Sequence, residues 1–185
     1  MSWEQVYQQW LNEENIPENL KNELKDLNTD PEKCEDAFYA PLEFGTAGMR
    51  GILGAGINRM NIFTVRQATE GLARFMDTQD PETKRRGVAI AYDSRHMSPE
   101  FAMEAAKTLA KHDIPSFVFE SLRPTPELSF AVRYFKAFAG IMITASHNPA
   151  AYNGYKVYGE DGGQMPPADA DALTKYVRSI ENSLK

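Results

Sequence analysis

The chain has 185 residues, 42% of them hydrophobic and 25% charged, enough to bury a real core in a soluble globular domain. Its formal net charge of −6 argues against nonspecific nucleic-acid binding, which needs a basic surface. No apolar run approaches the roughly 20 residues of a membrane span, and the polar stretch Met1 to Trp10 lacks a signal-peptide core, so a cytoplasmic protein with neither nucleic-acid nor membrane partners is expected.

The first 40 residues predict a helical arm. Trp3, Val6, Tyr7, Trp10 and Leu11 fall at helical spacing, Leu20, Leu24 and Leu27 repeat it, and Pro17 separates the two stretches. The lone cysteine, Cys34, has no nearby His or Cys and reads as structural. From about Leu42 the texture changes: five of the 12 glycines lie between Gly45 and Gly56. Thr64-Val65-Arg66-Gln67 reads as a capping box opening a helix whose core face is Val65, Ala68, Leu72 and Phe75.

Val88 to Tyr92 then predicts a buried strand. Ser98-Pro99 supplies an N-cap and a first-turn proline, with Phe101, Ala102, Ala105 and Leu109 facing the core. Ser116 to Phe119 is the next strand. Thr125-Pro126 opens a helix with Leu128, Ala131, Val132 and Phe135 inward. Phe138 to Ile143 is a third strand and Tyr155 to Tyr158 a fourth. Leu173, Tyr176, Val177 and Ile180 mark a last helix running to the end. The alternation predicts an α/β three-layer sandwich: a mostly parallel, mixed, four-stranded sheet with helices on both faces, plus the N-terminal arm.

In such folds sites gather beyond the carboxyl ends of the strands. That rule points to Asp93-Ser94-Arg95, Leu122-Arg123-Pro124 and Thr144-Ala145-Ser146-His147-Asn148-Pro149. In the last, Pro149 biases Asn148 towards an extended conformation, and a serine there would be presented outward on a rigid platform. His147 beside it can donate to phosphate oxygens or assist proton transfer. Taken alone, both are more commonly plain turn and surface residues. Asn153-Gly154 is a turn signal, either of an ordinary hairpin or of one that brings Lys156 back towards Ser146. An ammonium there stabilises a phosphoryl group or acts as general acid and base.

The segment Phe44 to Gly51 combines glycines, whose N–H groups can approach a phosphate, with Arg50, whose fork grips its oxygens; by itself it also reads as a flexible turn. It is neither a P-loop nor a dinucleotide fingerprint, and His96, His112 and His147 show no zinc spacing. Asp93 alone makes no magnesium cage.

Taken together and in this order, Phe44 to Gly51, Tyr92 to Arg95, Pro124-Thr125-Pro126, Thr144 to Pro149 and Tyr152 to Lys156 resemble the α-D-phosphohexomutase family. The resemblance runs from about Leu42 to the C-terminus, and its glycine-rich form looks like the phosphoglucomutase and phosphopentomutase-like branch. It divides the chain into an arm, residues 1–40, and the family's first domain, residues 41–185, with domains II–IV outside the chain.

The resemblance implies that Ser146 is the phosphoserine, that its phosphate ligates Mg²⁺, and that the remaining metal ligands lie in domain II. His147 and Lys156 would be active-site residues, with Lys156 a general acid or base. Arg50, with Thr46, would contact substrate phosphate. The implied reaction interconverts glucose 1-phosphate and glucose 6-phosphate through glucose 1,6-bisphosphate. Phosphomannomutase and phosphopentomutase activities share all these residues, and a non-catalytic anion-binding module of the same fold is the other alternative. The implied partners are a phosphosugar and the remaining domains of a full-length enzyme.

Overall fold

The computed structural model describes residues 1–45, 48–180 and 184; Thr46, assigned above to phosphate binding, lies outside them. Three helices come first: α1 (Trp3–Leu11), α2 (Glu18–Leu27) and α3 (Pro31–Phe38). There follow β1 (Met49–Ile52), α4 (Ile62–Asp77), α5 (Pro81–Arg86), β2 (Val88–Tyr92) and α6 (Ser98–Lys111). β3 (Ser116–Val118), α7 (Thr125–Tyr134), β4 (Ala139–Ile143), β5 (Tyr152–Tyr158) and α8 (Pro167–Arg178) complete the described elements.

The strands form one sheet in the order β1-β5-β4-β2-β3. β2 runs parallel to β3 and β4, whereas β5 is antiparallel to both β4 and β1. The sheet is therefore mixed and has five strands rather than four. The additional one, β1, comes from the glycine-rich stretch read as a loop. Its residues alternate, with Met49 buried and Arg50 exposed, but four residues are too few for that period to stand out among glycines. Glycine is needed at its start: Gly48 has φ +111°, and a Cβ there would overlap the carbonyl of Tyr155 on β5.

Both faces of the central strands are covered, which explains their unbroken apolar runs. Val88 and Ile90 of β2, with Ile141 and Ile143 of β4, join a large core with α4, α6 and α8. The alternate residues Ala89, Ala91 and Met142 pack on the other side against Leu128, Ala131 and Val132 of α7. The predicted inward faces of α4 and α6 are buried as expected.

The arm has its own core of Tyr7, Trp10, Ile16, Leu20, Leu24, Cys34 and Phe38, closed by Phe63 of α4. Trp10 meets Phe63 edge-on with ring centroids 5.1 Å apart. Burial pushes the Cys34 thiol up, as befits a packing residue.

Several local expectations are corrected. α4 begins earlier than Thr64: its cap is Asn61, whose Oδ1 accepts from the N–H groups of Phe63 and Thr64, while Thr64 Oγ1 accepts from Asn61 N–H. Ser98 is the first residue of α6 rather than its cap; the cap is Met97, held at φ +66°. α7 opens at Thr125 as expected, but its last inward candidate, Phe135, is 44% exposed at its C-cap and stacks on Phe117 of the edge strand. The last helix stops at Arg178.

Candidate active site

The parallel pairing of β2 with β4 sets Tyr92 opposite Ile143, so the two strands end side by side. Asp93 N–H donates to Ile143 carbonyl at 3.1 Å, which brings the segments after both strands together. The third flagged segment stands next to them, with Arg123 N–H bonded to the Tyr92 carbonyl, but its guanidinium turns away to Glu127.

After β4 the chain turns over residues 144–151 and re-enters the sheet as β5. The turn is made here, not at Asn153-Gly154, which lie buried within β5. Asn153 occupies a strand because its side chain is fully employed. Its Nδ2 donates to the His96 carbonyl and to Ser98 Oγ, both at 2.9 Å, and its Oδ1 accepts from Gly154 N–H. Gly154 is there because a Cβ would come within 2.5 Å of the Thr144 carbonyl. The turn propensity of the pair is overridden by tertiary packing.

Ser146 sits at the head of this turn, exposed, with φ +55°. The left-handed region costs a non-glycine residue about 1 kcal/mol or more, so the surroundings must hold it. Its N–H donates to Thr144 Oγ1 at 3.0 Å. Its carbonyl accepts from Arg95 Nη2 at 2.8 Å. The hydroxyl faces outward and accepts from Lys156 Nζ at 2.7 Å.

Lys156 pairs with Met142 across β4 and β5, on the strand face that also carries Gly154. Arg50 on β1 lies opposite Gly154, hence diagonal to Lys156 on one side of the sheet. Arg50 is exposed and donates from Nη1 to Asn148 Oδ1 at 3.0 Å, so it reaches the serine turn from the far strand. Partial burial, then the nearby Arg50 charge, lower the Lys156 pKa, and Asp93 opposes them.

The structure thus brings Ser146, Lys156 and Arg50 to one turn. His147 stands exposed on the same turn but, among the described residues, bonds neither Ser146 nor Lys156. An open hollow of about 400 Å³ lies against the serine, lined by Asp93, Ser94, Arg95, His96, Ser146 and Ala150.

Two residues that sequence reasoning left without a role organise this region. Arg95 bonds three backbone carbonyls of the turn and that of Tyr152 at the start of β5, and Asn148 links the turn to Arg50. Arg95 lay in a strand-end segment that topology flagged, but nothing in one sequence distinguishes an arginine facing carbonyls from one facing phosphate.

The described residues do not fit a complete Mg²⁺ site. Among the described residues no group of three or more His, Cys, Asp or Glu side chains could hold a metal. The carboxylate beside the serine, Asp93, is already engaged by Arg95 N–H, Ser98 Oγ and the Arg95 guanidinium.

Fold and site together define a class: a three-layer α/β/α domain that displays a serine hydroxyl beside cationic side chains where its parallel strands end. The chain belongs to the phosphoglucomutase/phosphomannomutase family, whose alpha/beta/alpha domain I matches residues 41–184. It is 43% identical over 175 residues to a phosphoglucomutase of Staphylococcus saprophyticus, a match covering 95% of this chain and 31% of that protein. It is 45% identical over 157 residues to a phosphoglucomutase of Staphylococcus epidermidis, covering 85% of this chain and 28% of the relative.

Among solved structures, a Thermus thermophilus protein provisionally designated a phosphomannomutase superposes with a TM-score of 0.67 at 33% identity, over 75% of this chain and 30% of that one. The chain therefore spans about a third of the length of these relatives. Among the described residues no helix is long and apolar enough to cross a membrane.

Proposed function

We propose that this chain is the first domain of a cytoplasmic phosphoglucomutase and that Ser146 carries the phosphoryl group exchanged with the sugar. The observation that carries the reading is the 2.7 Å contact between Lys156 Nζ and an outward-facing Ser146 Oγ. The family membership and the phosphoglucomutase relatives at 43% and 45% identity support it.

In the forward step the Oγ–P bond of phosphoserine breaks while a bond forms from phosphorus to a hydroxyl oxygen of glucose 1-phosphate, giving glucose 1,6-bisphosphate. The sugar hydroxyl gives its proton to solvent, and Ser146 Oγ gains one. Lys156 lies within reach to supply that proton as the ester bond breaks, and to take it back when Ser146 attacks the other phosphate of the reoriented intermediate. The product is then glucose 6-phosphate. Arg50, exposed and diagonal to Lys156, would meet the equatorial oxygens of the transferring group, and His147, exposed on the same turn, would donate to it. Thr46 and the rest of the glycine-rich segment would add backbone and hydroxyl donors.

This gathering of cations lets an acidic chain receive a dianion. The Ser146 phosphate would contribute one oxygen to the Mg²⁺ of the full-length enzyme, whose other ligands would come from outside this chain.

The test is Ser146→Ala in the full-length enzyme. Loss of nearly all conversion of glucose 1-phosphate, with loss of the phosphate adduct seen by intact mass, is expected; retained activity would sink the reading. The Thermus neighbour's designation favours a second substrate, mannose phosphate. Comparing kcat/KM on glucose and mannose 1-phosphates decides between them. An anion-binding module predicts no phosphate on Ser146 after incubation with glucose 1,6-bisphosphate.

A further inference from the structure

We infer that Arg95 is a positioning residue for phosphoryl transfer: it holds the main chain of the Ser146 turn and ties it, through one hydrogen-bond network, to the strand that carries Lys156. Its kinetic consequences rest on the function proposed above; its structural consequences do not.

Within the turn, Ser146 N–H bonds Thr144 Oγ1 at 3.0 Å. Asn148 N–H bonds the Ala145 carbonyl and Tyr152 N–H the Pro149 carbonyl. Against these, four carbonyls converge on one guanidinium. Arg95 Nη2 donates to Ser146 O at 2.8 Å and Asn148 O at 2.6 Å; Nη1 donates to Pro149 O at 2.8 Å and Tyr152 O at 3.0 Å. A planar, always-charged fork suits this task because its donors diverge in fixed directions. Its side chain is only 14% exposed, which favours holding backbone over capturing ligand from solvent.

The fork is itself held. Arg95 N–H donates to Asp93 Oδ1 at 3.0 Å, and Nε lies 3.6 Å from Asp93 Oδ2. Asp93 Oδ1 also accepts from Ser98 Oγ at 2.9 Å. Ser98 Oγ in turn accepts from Asn153 Nδ2, three residues before Lys156 on β5. One chain of bonds therefore fixes the backbone of Ser146 at one end and the strand of Lys156 at the other. The Arg95 guanidinium donates to backbone carbonyls rather than to the serine hydroxyl; it acts by fixing the left-handed serine so that Oγ meets Nζ.

The test uses Arg95→Lys, which keeps the charge and loses the fork, with Arg74→Lys on a surface pair as control. In the 185-residue chain, amide exchange at Asn148 and Tyr152 should accelerate at least tenfold, while amides of the β2–β4 ladder keep their rates. In the full-length enzyme kcat should fall about 100-fold with KM within threefold and the pH profile unmoved, the size of loss that misplacement by about 1 Å produces.

Native exchange at those two amides in the folded variant, or kcat within threefold of wild type, overturns the inference. If Arg95→Lys fails to fold, Asp93→Asn, which loosens the guanidinium without removing it, carries the exchange test alone, because Asp93 also raises the Lys156 pKa and its loss would move the pH profile. A wild-type enzyme that never acquires phosphate on Ser146 refutes the proposed function, yet leaves the exchange measurement to judge Arg95.

Discussion

Lys156 Nζ donates to Ser146 Oγ at 2.7 Å, and the ammonium that does so is less basic than an ordinary lysine. Burial disfavours its charge, Arg50 adds repulsion, and Asp93 only partly compensates. A phosphate on Ser146 would bring about −1.5 to −2 charges to the same spot. The lysine should therefore become more basic when the serine is phosphorylated and release its proton more readily when it is not. Nitrogen NMR of the lysine side chain, before and after phosphorylation, should show its titration moving to higher pH; a fixed or falling midpoint refutes the coupling.

Replacing this lysine should harm chemistry more than binding. Lys156→Met is expected to lower kcat of the full-length enzyme by roughly 10²–10⁴, the range of a lost general acid and base. Lys156→Arg should not restore it, because a guanidinium keeps its proton. Steady-state kinetics on both variants decide, and a fully active arginine variant would reduce Lys156 to a fixed charge.

The backbone of Ser146 predicts a trade between function and stability. At φ +55° glycine is the comfortable residue, whereas alanine keeps the strain without the hydroxyl. Ser146→Gly should be more stable than Ser146→Ala by about 1 kcal/mol, although neither can carry phosphate. Urea unfolding of the two variants measures the difference. Equal stabilities would mean that the turn relaxes once the side chain is gone.

Gly154 makes a sharper prediction. A Cβ at this position would meet the Thr144 carbonyl at 2.5 Å and the Met49 carbonyl at 3.0 Å, wedging β5 from its neighbours. Gly154→Ala is expected to cost about 1–3 kcal/mol, as overpacking does, and to separate Lys156 from Ser146. Its denaturation midpoint should fall, and phosphoryl transfer should fall with it.

Far from this site, His112 at the end of α6 bonds Asp77 through Nδ1 and Glu70 through Nε2, each at 2.8 Å. Arg74 pairs with Glu70 and Lys84 with Asp77 at the same place. Burial pushes the imidazole pKa down, but the two carboxylates outweigh it and hold it above the ordinary value. Burial likewise pushes Glu70 and Asp77 up, and their cationic partners outweigh it and hold both below.

The signs follow from linkage. The histidine's contribution is complete below its unfolded pKa of about 6.5 and fades as pH rises through the raised folded value. The carboxylates' contributions fade only in acid. His112→Gln should therefore flatten the dependence of Tm on pH between about 6 and 8. A wild-type slope retained by the variant would assign the effect elsewhere.

The sequence made the layered fold legible because both sheet faces are buried and the helices carry strong apolar periods: Val88 to Tyr92 and the faces of α4 and α6 behave as their patterns predict. It misled where a local signal lost to a distant partner. Asn153-Gly154 spells a turn, yet Asn153 is claimed by His96 and Ser98, more than fifty residues away. Ser98 looked like a cap and instead links Asp93 to Asn153. Ser146 was flagged by its place after a strand, Lys156 by a turn signal and Arg50 by its glycine-rich segment, but each pattern taken alone also fits an ordinary turn or surface residue, and only the family resemblance gave them roles. The carbonyl-facing role of Arg95 was not legible, since backbone acceptors leave no mark in a sequence.

The order in which the site assembles during folding follows from where its parts lie along the chain. Ser146 and Lys156 are ten residues apart, within one antiparallel excursion, whereas Arg50 reaches Asn148 across 98 residues. Contacts of short separation close early and cheaply in chain entropy, and those of long separation close late. A nascent domain would thus own its serine–lysine couple before β1 docks. The arginine's arrival completes the sheet edge and the cationic cluster in a single event, so a molecule still missing its last strand has the serine–lysine pair but not the arginine that reaches the turn beside it.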